Sequence, residues 1–187
     1  KRIAKRPDRS VCVSGRARNI LCAIRVSGWA RNILSGSQRD LLIAPEQFRE
    51  FVHPYFRELT ELGHAYGYQV ILHSCGSIHA LLPDLIEAGF EVINPVQTAC
   101  LGMEPERLKR EFGDRLAFCG AIDTQRVLPH GTPDDVRREV RRRIRDLGPG
   151  GGYILAPVHC IQPDVPPENV LAMLAEAQRA GRYPLDL

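Results

Sequence analysis

Four short apolar runs recur through the chain after residue 40: "YQVILHS" (Tyr68–Ser74), "FEVINPV" (Phe90–Val96), "LAFCGAI" (Leu116–Ile122) and "YILAPVH" (Tyr153–His159). Short continuous apolar runs bounded by turn residues fit strands buried on both faces. The segments between them carry the punctuation of helices. One runs from His79 to Ala88 and is stopped by Gly89; another starts at Pro105 and reaches Phe112, with Gly113 and Asp114 as its turn. Thr132, Pro133, Asp134 and Asp135 supply an N-cap, a first-turn proline and dipole-matched acids for a third, whose inner stripe is Val136, Val140, Ile144 and Leu147. Pro166 and Pro167 lead into a last helix ending near Gly181. Ahead of the first run, Pro45 opens a helical pattern, restarted at Pro54, with Phe48, Val52, Tyr55, Leu59 and Leu62 as its apolar stripe. Strand and helix alternating four times predict an α/β fold with a parallel sheet.

In such folds the strand C-termini face the active site, so the residues that end the runs should meet on one rim. They are His73 and Cys75, then Asn94 and Gln97, then Asp123 and Gln125, then His159 and Cys160. His73 and Cys75 are two apart on a strand and point the same way. Zinc takes nitrogen and sulfur ligands, and a catalytic site holds it with three and leaves one position open; His159 or Cys160 could complete the set. The same pair also reads as a buried free cysteine beside a hydrogen-bonded histidine. Asp123 suits an acid, a base or an orienter of histidine, and equally a turn cap. Asn94 and Gln97 can donate hydrogen bonds to a ligand, although an asparagine before Pro95 also suits a turn.

Composition narrows the partners. With 187 residues, 44% apolar and 25% charged, the chain can bury one core of its own. No apolar run approaches the length of a membrane span and no signal-like segment opens the chain, so a soluble cytoplasmic protein with no membrane partner is expected. Six scattered cysteines without a CxxC pair read as free thiols. The net charge of +3 conceals a split, because residues 1–39 hold ten Lys and Arg against Asp8 alone, which leaves −6 for the remainder. The basic run "DDVRREVRRRIRDLG" has interspersed acids and an inward apolar stripe, so it reads as a solvated helix face with no nucleic-acid partner. The glycines of "GPGGGY" precede a strand and do not make a phosphate loop.

Residues 1–37 form an atypical basic segment that need not fold, ahead of a domain over 38–187. Within that segment "SGRARNIL" (Ser14–Leu21) returns thirteen residues later as "SGWARNIL" (Ser27–Leu34). Two copies fall short of a solenoid, and the segment reads as foreign to the fold behind it, ahead of a nucleic-acid arm or a targeting peptide.

The segments "FREFVHPYFREL", "VILHSCGSI", "LIEAGFEVINPVQ", "LKREFGDRLAFCGAIDTQRVLPHGTPDDV" and "GGGYILAPVHCIQPDVPPENVLAM" together resemble the C-terminal half of the uroporphyrinogen decarboxylase (URO-D) superfamily, over residues 38–180. The resemblance implies a partial (β/α)₈ TIM barrel of about four βα units. "HSCG" is similar to the cobalamin-dependent methyltransferase branch, in which the matching histidine and cysteine bind zinc. By that resemblance His73 and Cys75 are metal ligands, and the third falls at "APVHCIQ", on His159 with Cys160 as the alternative. Adjacent strand residues face opposite ways, so only one of those two can serve without a bulge. The implied function is zinc-dependent methyl transfer to a small-molecule thiol from a corrinoid (cobalamin), carried by a partner protein or bound transiently. Asp123 and Gln125 would be the catalytic pair, with Asn94 and Gln97 at the substrate. One alternative is decarboxylation of uroporphyrinogen, a tetrapyrrole of porphyrin biosynthesis, although the arginines and aspartate that handle its carboxylates belong to the N-terminal half. The other is a truncated, non-catalytic half-barrel, since a full barrel takes about 250 residues and four units leave two open sheet edges that can pair as a homodimer.

Overall fold

The computed structural model describes residues 36–185 together with a two-residue strand, Ala23–Ile24. Both copies of the repeat, and the readings of residues 1–22 and 25–35, lie outside the described residues. The strands are β1 (Ala23–Ile24), β2 (Ile71–His73), β3 (Val92–Val96), β4 (Ala117–Ile122) and β5 (Tyr153–Pro157). All are parallel and stand in sequence order, each beside its predecessor. Constant stepping in one direction is how a (β/α) barrel grows. The four expected strands are present, and β1 joins the edge beside β2.

The helices are α1 (Pro45–Phe51), α2 (His53–Ala65), α3 (Leu82–Glu87) behind a 3₁₀ turn at His79–Leu81, α4 (Pro105–Phe112), α5 (Val127–His130), α6 (Pro133–Leu147) and α7 (Pro167–Ala180). The short α5 is not foreshadowed by apolar periodicity. At the start of α6, Thr132 and Asp135 form a reciprocal capping box, and Val136, Val140, Ile144 and Leu147 are all buried as the stripe predicts. Arg143 and Asp146 are buried with them. They are tolerated because Arg143 reaches Asp146 at 3.0 Å and Glu139 at 2.9 Å, so the charges are satisfied within the helix.

The chain does break at Val52, between α1 and α2, but the stripe read for α2 needs correction. Tyr55, Leu59 and Leu62 are 66%, 39% and 57% exposed, whereas Phe56, Thr60 and Gly63 face the core. The reason is close packing. A Cβ on Gly63 would lie 2.7 Å from Val70 Cγ2, so beyond Phe56 the helix rests on Thr60 and Gly63 and turns Tyr55, Leu59 and Leu62 outward.

A strap formed by residues 36–40 closes over the loop that follows β2. The Gly36 amide donates to the Cys75 carbonyl at 3.1 Å, Ser77 N to Ser37 O at 2.9 Å and Leu101 N to Gln38 O at 3.0 Å. The approach requires glycine on both sides: a Cβ on Gly76, whose φ is +93°, would lie 1.9 Å from the Gly36 carbonyl oxygen. Gly76→Ala should therefore cost at least about 2 kcal/mol in denaturant unfolding, combining left-handed strain with a backbone clash. Gly150→Ala, at φ +78° with nothing within 4 Å, should cost only about 1 kcal/mol. Equal losses at the two positions would show that the strap does not hold.

Candidate functional site

The C-terminal ends of β2 to β5 open into one cleft of about 180 Å³, lined by Cys75, Gln97, Thr98, Ala99, Asp123, Thr124, Gln125, Val158 and His159. Five of the eight rim residues expected from the sequence line it directly. His73 and Asn94 stand beside Cys75 rather than among the lining residues, and Cys160 is exposed with its carbonyl accepting from Gln162.

His73 and Asn94 are paired in register across β2 and β3. Their side chains meet, with Asn94 Oδ1 2.6 Å from His73 Nδ1. An amide oxygen only accepts, so Nδ1 carries the proton and the neutral ring keeps its lone pair on Nε2. That nitrogen lies 3.9 Å from Cys75 Sγ. The other end of the Asn94 amide donates to Cys119 Sγ on β4 at 3.0 Å. Both ends of Asn94 are thus spent on neighbours, and its place is that of an orienter of His73. Gln97 accepts from the Gly76 amide at 3.0 Å and pins the loop that carries Cys75. Asp123 caps the turn into α5, its Oδ1 accepting from the amides of Gln125 at 2.6 Å and Arg126 at 3.0 Å, while the carboxylate borders the cleft.

The backbone is bent to make this rim. Pro95 has no amide to give to the ladder, and the β3–β4 register shifts between Ile93 and Val96. Opposite the shift, β4 turns left-handed at Gly120 (φ +109°) and Ala121 (φ +73°), the latter the one positive-φ residue other than glycine among the described residues. Buried Tyr153 holds the bend by donating to the Gly120 carbonyl at 3.0 Å.

The donor set fits two bonds to one metal ion. Zinc–nitrogen and zinc–sulfur bonds sum to about 4.3 Å, longer than the His73–Cys75 separation, so a single ion reaches both atoms. The ring tautomer fixed by Asn94 is the one a metal requires. His159 lines the same cleft as Cys75. Among the described residues no three His, Cys, Asp or Glu side chains are gathered tightly enough to hold an ion as they stand. Thr98 and Thr124, which also line the cleft, were not singled out from the sequence; each directly follows or precedes a polar rim residue, in "VQTA" and "IDTQ".

A run of parallel βα units with polar residues collected at the strand C-termini defines part of a (β/α)₈-barrel protein, and the candidate site lies at the end where such barrels carry theirs. A family model for uroporphyrinogen decarboxylase (URO-D) matches residues 33–180, and the chain belongs to that family. It is 31% identical over 137 residues to the methylcobamide:CoM methyltransferase MtaA of Methanosarcina barkeri, covering 72% of this chain and 37% of that protein. It is also 29% identical over 143 residues to a uroporphyrinogen decarboxylase of Thioalkalivibrio sulfidiphilus, covering 74% and 39%. Among solved structures it resembles a methyltransferase from Methanosarcina mazei, with a TM-score of 0.60, 25% identity and coverage of 74% and 38%. The chain therefore spans under two-fifths of the length of these relatives.

Burial pushes the Cys75 thiol above the ordinary thiol range. In chain stripped of metal, its alkylation by iodoacetamide should rise with pH along a curve displaced upward from that of a small free thiol. Peptide mass spectrometry reads this directly, and a midpoint at or below the free-thiol value would contradict the burial.

Proposed function

We propose that this chain is part of a barrel that transfers a methyl group from a corrinoid to a small-molecule thiol, with zinc held by His73 and Cys75 and with His159 as the third ligand. The observation that carries the reading is the Asn94–His73–Cys75 arrangement, which leaves the ring lone pair 3.9 Å from the sulfur at the mouth of the cleft. Its support from the comparisons is the methyltransferase relative and the methyltransferase structure. Bound there, zinc would hold a substrate thiol as thiolate near neutral pH.

The chain's own residues do the positioning. Asn94 keeps His73 in one tautomer and one orientation. Gln97 and the strap keep the Cys75 loop from drifting. Asp123, with one oxygen committed to its turn, and Gln125 border the cleft and would orient the thiol substrate. Ala99 and Val158 add apolar wall, which limits the water that competes for the nucleophile. In the reaction the methyl group leaves its donor without the bonding electron pair, the sulfur supplies the pair for the new bond, and the thiol proton passes to solvent.

Elemental analysis of chain purified without added metal should find about one zinc per chain. Cys75→Ala should abolish it, and Asn94→Ala should weaken zinc about 10–100-fold, as loss of an orienting partner does. Methylcobalamin with a simple thiol is then the assay, in which Cys75→Ala should be inactive. Folded chain that binds no zinc sinks this reading, and decarboxylation of uroporphyrinogen by such metal-free chain would put the decarboxylase relatives in its place.

A further inference from the structure

A second cleft, of about 400 Å³, lies between the last turns of α6 and α7 and is lined by Arg141, Arg145, Arg179, Arg182, Ile144, Ala180 and Pro184. Helix α6 ends at Leu147 and leads through a glycine turn into the start of β5. The cleft therefore sits at the N-terminal end of the strands, away from the rim that carries Cys75. Four guanidinium groups around one hollow repel one another unless something negative stands among them.

Among the described residues, Glu176 supplies a carboxylate to this cluster. Glu176, buried on α7, accepts from Arg141 at 3.1 Å and from Arg179 at 3.2 and 3.3 Å. Those two arginines are thereby held in fixed positions. Arg145 and Arg182 are exposed and make no hydrogen bond or ion pair with a described residue. This sets them apart from the outward arginines elsewhere on α6. Arg137 pairs with Asp134 at 2.5 Å, Arg138 with Asp135, and Arg142 lies 3.9 Å from Asp146, all within the helix. Arg145 has no acid one turn away in either direction.

We infer that this cleft binds a small molecule bearing a phosphate or diphosphate group, gripped by Arg145 and Arg182 beside the Arg141–Glu176–Arg179 cluster. A guanidinium offers a planar fork of donors that matches two phosphate oxygens at once. The volume exceeds what a lone phosphate fills and lies in the range of small-molecule sites. Ile144, Ala180 and Pro184 provide an apolar surface for the organic part. The site is independent of the zinc reading.

The test is calorimetric titration of the full 187-residue chain with pyrophosphate at low ionic strength. Saturable binding at one site per chain is expected, weakened about tenfold or more in the Arg145→Ala/Arg182→Ala double variant, since each removes charge-assisted hydrogen bonds. The control is Arg137→Ala/Arg138→Ala, which removes the same amount of charge, from the far end of α6, and should shift affinity by no more than about twofold. Should the first double variant not fold by circular dichroism, Arg182→Ala alone carries the test, with a loss of about three- to tenfold expected. Absence of saturable binding to the unaltered chain, an equal loss in the control, or binding of citrate as tight as that of pyrophosphate would each overturn the assignment.

Discussion

Parallel pairing of β2 with β3 in the register that sets His73 opposite Asn94 is the constraint on which the candidate site depends. Side chains at paired positions leave the sheet on the same side, so the imidazole and the amide meet without any loop to bring them together. The amide then reaches Cys119 on β4, and one side chain ties the ends of three strands. A slip of one residue would send His73 to the other face of the sheet and leave Asn94 Oδ1 without its partner. The chemistry open to Cys75 follows from that register, because only a ring whose Nδ1 is committed presents a free lone pair on Nε2.

Backbone strain gathers around the same rim. The register shift at Asn94 and Pro95, the left-handed pair Gly120 and Ala121, and the left-handed Gly76 all lie at the strand C-termini. Such conformations persist where surrounding contacts hold them. Here the holders are the Tyr153 hydroxyl on the Gly120 carbonyl and the strap of residues 36–40 on the Cys75–Ser77 backbone. A short segment ahead of the first helix thus takes part in shaping the site, which its lack of apolar pattern would not suggest.

The outer surface of the described residues is uneven. Helix α6 covers its exposed side with arginines mostly paired to acids of its own helix, as a solvated face does. Helices α1 and α2 instead carry Phe51, Tyr55, Leu59 and Leu62 outward, and Tyr66 follows just past the end of α2. An apolar row of this extent is unlike the scattered exposed residues normal on a surface. It belongs to a chain spanning under two-fifths of the length of its barrel relatives.

Much of this was legible in the residues. The strands were readable because buried parallel strands are short apolar runs between turn signals, and α4, α6 and α7 because proline, capping threonine and glycine mark their ends. The rim followed from the direction of the strands, and His73 with Cys75 from their spacing. The α2 stripe misled because apolar periodicity shows which residues share a face, whereas packing distance decides which face goes inward; here Thr60 and Gly63 permitted the closer approach. The sequence by itself therefore determined the order and kind of the elements and the polar character of their ends, since these are local properties of the chain. Only the tertiary structure decided that Asn94 orients His73 rather than standing free, and that four arginines from α6, α7 and the segment after α7 surround one hollow. Each of those depends on distances between residues far apart in the chain, and local pattern carries no information about them.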